Sequence, residues 1–284
     1  MKGFITIATG NEDYYKLAYN LLMSYKKIGK GKYSFAILCD RENSYTKVFD
    51  KVIILNNPTN TYMDKITLLN YIPYDETIFI DADSLVYNDI DYFFDYFKKV
   101  DIFSAFGKDV SDSPEEGWFL AEDMDNYKDK INYVPSFHGG VMFFRKSPRL
   151  KEMYDICCDI KNKYKNYVFK YFSNPADEPC YAVAMSVLNF KPIDTGVSNF
   201  VFSPFGKVNK IDIGKKQLIL QNNEKIGLCH WSTSGTKTQL YKREIKILYA
   251  KTKLEVIFAR VVYFFSKYFS YIKVKTKTKP DAPK

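Results

Sequence analysis

Histidine and tryptophan are scarce in this chain of 284 residues, two of each, and its five cysteines (Cys39, Cys157, Cys158, Cys180 and Cys229) contain no CxxC pair. Adjacent Cys157 and Cys158 would not normally bridge each other, so a small disulfide scaffold is excluded and reduced thiols in a cytoplasmic setting are expected. No export signal is visible, because Met1-Lys-Gly-Phe-Ile-Thr-Ile leads into polar residues without the apolar stretch and cleavage site that such signals carry. The longest apolar stretch, Leu254 to Ile272, is interrupted by Arg260 and Lys267, which argues against a spanning helix. Glycine and proline are not in excess, and 46% apolar with 17% aromatic residues can bury a real core, which excludes a disordered chain.

A charge bias is missing from most of the chain as well. Met1 to Leu240 holds 30 basic and 30 acidic residues, whereas Tyr241 to Lys284 holds 12 and 3, so the whole net charge of +9 sits in the tail. A body without net charge does not offer the basic groove of a nucleic-acid binder. We therefore divide the chain into a body, 1–240, and a basic tail, 241–284.

What is present is an alternation of strand and helix patterns. Gly3–Ala8, Tyr33–Cys39, Lys51–Leu55 and Glu76–Ile80 read as strands, and Tyr14–Lys27, Lys65–Asn70, Leu150–Tyr171 and Pro179–Leu188 as helices. Gly139–Phe144 reads as a further buried strand and Gly227–His230 as a short apolar run before the loop Ser232–Lys237. The pattern predicts an α/β fold with a mostly parallel central sheet flanked by helices, whose ligands bind beyond the carboxyl ends of the strands. Gly10, Asp40 and Asp81 fall at those ends. The polar segment 107–134, with Asp112, Glu115, Glu116, Glu122, Asp123 and Asp125, is long for a connection and reads as a lid or substrate loop.

The chemistry concentrates in Thr77-Ile-Phe-Ile-Asp-Ala-Asp. Asp81 and Asp83, two residues apart after an apolar strand, point to one side of the chain and can share a hard divalent cation. An isolated DxD is common by chance, but here the rest of the chain supplies partners. His230, in Leu228-Cys-His-Trp-Ser-Thr-Ser-Gly-Thr-Lys, follows an apolar run and precedes a glycine turn and Lys237, a layout suited to a metal ligand beside phosphate. A metal on Asp81, Asp83 and His230, with Lys237 near, would neutralise the diphosphate leaving group of an activated sugar.

These residues, with their flanks, resemble glycosyltransferase family 8, the glycogenin-like and lipooligosaccharide galactosyltransferase-like enzymes of the GT-A fold. Six ordered blocks between Phe4 and Lys237 carry the resemblance. Ile7-Ala-Thr-Gly-Asn-Glu-Asp-Tyr-Tyr is similar to the first-strand loop, implying nucleotide contacts from Ala8, Thr9 and Gly10 and uracil stacking by Tyr14. Met63-Asp-Lys-Ile implies a donor-binding role for Lys65, and the Asp81-Ala82-Asp83 block one for Asp81 and Ala82. Phe137-His-Gly-Gly-Val places His138 and Gly139 at the donor sugar, with His138 where the family has Asn. Ala176-Asp-Glu-Pro implies that Asp177 and Glu178 act near the reacting sugar, Glu178 standing where Gln is usual. The last block, His230 to Gly235 and Lys237, is one residue longer than the family's spacing before the lysine.

The resemblance implies retaining transfer of a hexose, glucose or galactose, from a UDP-sugar to a glycan or glycolipid acceptor, with Mn2+ or Mg2+. The alternatives are a non-catalytic relative that binds sugar nucleotide or glycan, and a self-glucosylating protein. A nucleotidyltransferase would use similar chemistry but lacks its glycine- and arginine-rich N-terminal loop here. In the tail, Lys246, Lys253, Arg260 and Lys267 recur every seven residues, predicting one basic stripe on an amphipathic helix beside Ile257, Phe258, Val261, Phe264, Phe265, Tyr268 and Phe269. Lys273, Lys275, Lys277 and Lys279 follow. The tail reads as a peripheral anchor on an anionic cytoplasmic membrane face, or as a helix packed on the body or on a second subunit in a homo-oligomer.

Overall fold

The computed structural model describes residues 1–111, 117–170, 174–196 and 198–277, the last eleven of these as backbone only. Runs rich in β-branched and aromatic residues form the strands β1 (Lys2–Ala8), β2 (Ser34–Cys39), β3 (Lys51–Ile54) and β4 (Glu76–Ile80). Beyond them lie β5 (Ser84–Val86), β6 (Phe103–Asp109) and β7 (Pro135–Arg145). The last strands are β8 (Phe200–Phe202), β9 (Val208–Asp212), β10 (Gln217–Leu220) and β11 (Leu228–His230). The helices are α1 (Glu12–Lys27), α2 (Phe93–Tyr96), α3 (Arg149–Asn162), α4 (Asp177–Leu188), α5 (Ser232–Gly235), α6 (Gln239–Tyr249) and α7 (Lys253–Lys277).

The central sheet has the order β3-β2-β1-β4-β7-β6, and only β7 runs against the rest. Alternate residues of each strand feed two cores. Ile5 and Phe79 face the layer of α3, α4 and the 3-10 helix Tyr62–Asn70, whereas Phe4, Ile78 and Ile80 face α1 and α2. A second sheet, β5-β11-β8, and the hairpin β9-β10 enclose a third core, closed by Tyr241, Ile247, Leu248 and Ala259.

Four local expectations differ from the structure. The helix expected at Lys65–Asn70 is a 3-10 helix that starts at Tyr62, where Thr61 caps it through its side chain. The α-helix expected to reach Tyr171 stops at Asn162, a 3-10 turn follows at Tyr164–Asn166, and Tyr171 lies outside the described residues. Within 107–134, β6 extends to Asp109 and Phe119, Met124, Tyr133 and Val134 are buried in the core, so much of this polar segment is fixed by apolar anchors. Asp112, Glu115 and Glu116 lie outside the described residues. The single basic stripe of the tail does not form. The chain breaks between α6 and α7, which interrupts the seven-residue register, and Arg260 turns inward to pair with Asp212 at 2.8 and 3.0 Å.

Candidate active site

Strands β1, β2 and β4 all run toward one edge of the sheet, and the order moves outward from β1 on both sides. Their carboxyl ends therefore leave a crevice, and the candidate residues gather there. Asp81 follows β4, where its N–H donates to the Gly140 carbonyl of β7 at 3.0 Å. Asp83 precedes β5, which pairs with β11 in the register Ser84 to His230. The Trp231 N–H donates to the Asp83 carbonyl at 2.9 Å and locks that register. His230 Nε2 consequently lies 2.8 Å from Asp83 Oδ1 and 3.6 Å from Asp81 Oδ2.

Asp81, Asp83 and His230 each direct one ligand atom into a space where all three lie within 4.8 Å of one another. Two carboxylate oxygens and one imidazole nitrogen are a donor set for a divalent cation of intermediate hardness, and the three residues fit one. Without a cation the cluster is an ion pair. Burial opposes the charge on both partners, yet the contact with His230 holds the Asp83 carboxyl below its usual range and Asp83, with Asp81, keeps the imidazole above its own. Gly140 makes the arrangement sterically feasible, since a Cβ there would stand 2.6 Å from His230 Nδ1.

Beside this corner lies a second acidic pair. Lys65 is largely buried on the 3-10 helix and places Nζ 3.2 Å from both Asp81 Oδ1 and Asp177 Oδ2. Tyr181 fixes the lysine from behind by donating to its carbonyl at 2.8 Å. Burial disfavours the ammonium, but Asp177, Asp81 and Glu178 outweigh it and keep Lys65 charged. Ala176, rather than Asp177, caps α4, so Asp177 and Glu178 both occupy its first turn. Burial, reinforced by the neighbouring Asp177 carboxylate, pushes Glu178 up to about 7. Its Oε1 accepts the Gly139 N–H at 2.7 Å, and a Cβ on Gly139 would meet Glu178 Cγ at 3.0 Å. The Gly139-Gly140 pair thus lets one strand touch both acidic clusters.

His138 is part-exposed between them. Its Nδ1 accepts the Gly140 N–H at 3.0 Å, so the remaining proton resides on Nε2, where it can be donated to a ligand. Burial, with His230 and Lys65 nearby, holds the ring down to about 3, and its 3.8 Å approach to Glu178 is accordingly not an ion pair. In the first turn of α1 Tyr14 is exposed, while Tyr15 is fully buried and donates to Asp40. Burial raises the Tyr14 phenol, and so do Tyr62 and the Asp83 carboxylate. Ala8 is buried at the end of β1, Gly10 has a φ of +73° that favours glycine, and its N–H donates to Asp40. Ala82 is buried between the two aspartates.

Three contributors are absent from the sequence reading. Asp64 is buried and accepts from Thr9 Oγ1 at 2.9 Å, Thr59 N at 2.7 Å and Asn60 N at 2.9 Å, tying the loop after β1 to the entry of the Lys65 helix. Its place one residue before Lys65 was the available signal. Phe202 of β8 sits opposite His230 and stands 4.3 Å from the His138 ring, and Gly140 acts through the contact described above. Gly235 is buried in α5 with room for a Cβ, so its identity is not forced by space. Lys237 is exposed after α5 and makes no ion pair among the described residues.

No protein-family model matches the chain, and no curated protein matches it. Solved structures do. The chain is similar to the bifunctional glycosyltransferase WbbM, with 12% identity over 89% of this chain and a TM-score of 0.55; it spans half the length of WbbM. It is also similar to mouse xyloside xylosyltransferase 1, with 11% identity, 83% of this chain and 99% of that one covered, and a TM-score of 0.47. An active-site mutant of LgtC aligns with 17% identity over 82% of this chain and 87% of that chain, with a TM-score of 0.48. The chain adopts the GT-A glycosyltransferase fold, a mostly parallel sheet flanked by helices.

Proposed function

We propose that the protein is a metal-dependent glycosyltransferase that moves a hexose from a UDP-sugar to a glycan or glycolipid, with retention. The observation that carries this reading is the convergence of Asp81, Asp83 and His230 at the strand ends, with Lys65 Nζ standing 3.2 Å from both Asp81 and Asp177 and so joining them to a second pair of acids. Mn2+ or Mg2+ held by the three ligands would supply Lewis acidity toward the donor diphosphate. Lys65 adds a fixed positive charge at the same place, and Lys237 can swing in from the surface. Tyr14 offers its ring to uracil, and Ala8, Thr9 and Gly10 offer backbone groups to the nucleoside. His138 donates from Nε2 to a sugar hydroxyl, with Gly139 beside it. Asp177 and Glu178 border the reacting sugar, and Glu178 in its neutral form has the hydroxyl donor that an amide would replace with N–H.

For retention we favour a front-face route, in which the acceptor oxygen bonds to the anomeric carbon as the bond to the diphosphate oxygen breaks. The acceptor proton passes to the departing phosphate, so no side chain need form a covalent intermediate. The five free thiols fit a reducing, cytoplasmic setting.

The test is a thermal-shift and UDP-release panel of UDP-, GDP- and CMP-sugars with and without Mn2+. Stabilisation and slow UDP release by one UDP-sugar, only with metal and only while Asp83 is present, is the expected result. Stabilisation without release would assign a binding module, and no response to any nucleotide sugar would overturn the reading.

A further inference from the structure

Helix α7 carries apolar residues on both of its sides. Its side toward the body carries Val256, Ala259, Arg260 and Tyr263: Ala259 is buried, Arg260 pairs with Asp212, and Arg243 lies 4.6 Å over the Tyr263 ring. The outward side carries Leu254, Ile257, Phe258, Val261, Phe264 and Phe265, all exposed, with Leu254 at 74% and Phe258 and Phe264 at 66%. A helix that turns its arginine to the body and shows phenylalanine to the surroundings is suited to a covering of low polarity.

We propose that this outward face of α7 seats the protein on an anionic lipid surface, lying in the interface rather than crossing it. No helix among the described residues is long and apolar enough to span a bilayer. Charge selects lipid over a second copy of the chain. From Tyr241 onward the sequence carries 12 basic and 3 acidic residues; Arg243 is paired with Glu244 and Arg260 with Asp212, and setting those aside leaves ten basic residues against two acids. Two copies meeting through α7 would bring two such segments together, whereas an anionic leaflet is attracted to each. Insertion of several large apolar side chains, assisted by the exposed Lys251 and Lys253, matches the two-part requirement for stable interfacial binding.

The full chain would be floated with vesicles of phosphatidylcholine alone and of phosphatidylcholine containing about one third phosphatidylglycerol. The expected result is flotation with the anionic vesicles only, weakened by salt, and lost in Phe258→Asp/Phe264→Asp. The milder Phe258→Ser/Phe264→Ser pair, which adds no charge, should lose most of the binding too, and metal-dependent donor hydrolysis in solution should be unchanged. The proposal is overturned by failure of the wild type to float, or by flotation that both pairs of substitutions leave intact. A dimer in sedimentation that these substitutions dissolve, without flotation, would assign the face to a second copy instead.

Discussion

Two clusters of acids share one lysine in this molecule, and burial acts on them with different outcomes. At the metal corner, Asp83 faces an imidazole at 2.8 Å and is kept ionised despite its burial. At the entry of α4, Asp177 and Glu178 are buried together with no imidazole bonded to either, and burial raises both. Lys65 stands between them, 3.2 Å from an acid of each. The contrast shows that residue type at a strand or helix end does not fix its role. An acid bonded to an imidazole is held ionised; a buried acid crowded by another acid, as Glu178 is by Asp177, can carry a proton at neutral pH.

Removing the shared cation should disturb both clusters at once and have the largest effect. Lys65→Met leaves Asp81, Asp177 and Glu178 facing one another, and a loss of about 3–5 kcal/mol in unfolding free energy is expected at neutral pH, read from denaturant titration. A variant as stable as the wild type would show that the clusters are electrostatically independent. Next comes the metal corner alone. In Asp83→Asn the stabilisation by Mn2+ should vanish, with affinity reduced at least about tenfold. The wild-type affinity should climb with pH, because Asp83 and Asp81 hold a proton on His230 that must leave before the nitrogen can ligate. A Mn2+ affinity independent of pH near neutrality would remove His230 from the ligand set.

The two clusters also differ in how far sequence could reveal them. Asp81 and Asp83 were legible because a five-residue apolar strand delivers them with a period of two, and β4 has the expected limits. The central sheet was legible for the same reason, its strands being long enough to show a pattern. The sheet β5-β11-β8 was not, since each strand has three residues and the partners come from positions 84, 200 and 228. That sheet is what brings His230 to Asp83 and Phe202 to His138, so the candidate ligands could be named but their closure, and Phe202, could not. The tail misled for a related reason. A seven-residue repeat describes a stripe only along one unbroken helix, and the break between α6 and α7 together with the pairing of Arg260 with Asp212 leaves no single basic face.

Adjacent glycines allow the comparison to be sharpened one methyl group at a time. Gly140→Ala would drive Cβ to 2.6 Å from His230 Nδ1, so the imidazole must move; a cost of about 1–3 kcal/mol and weaker Mn2+ binding are expected. Gly139→Ala meets Glu178 Cγ at 3.0 Å and should leave Mn2+ binding nearly intact while lowering turnover of the donor. Equal effects of both substitutions on the metal would mean that β7 responds as a unit and that the clusters are mechanically joined.

The most direct reading of the second cluster is the pH response of Glu178. Its folded-state carboxyl is raised from 4.5 to about 7, so between those values the folded protein holds a proton that the unfolded chain has lost. Stability from this group is complete below about pH 4.5, is surrendered as the pH rises, and is gone above about 7, amounting to at most about 3 kcal/mol. Glu178→Gln has no proton to lose. The difference in melting temperature between wild type and Glu178→Gln, taken without metal, should therefore shift steadily against the wild type from pH 5 to pH 8, although His230 and Asp83 titrate in both proteins. Parallel profiles would mean that Glu178 is ionised throughout, and that the two clusters differ in position but not in charge.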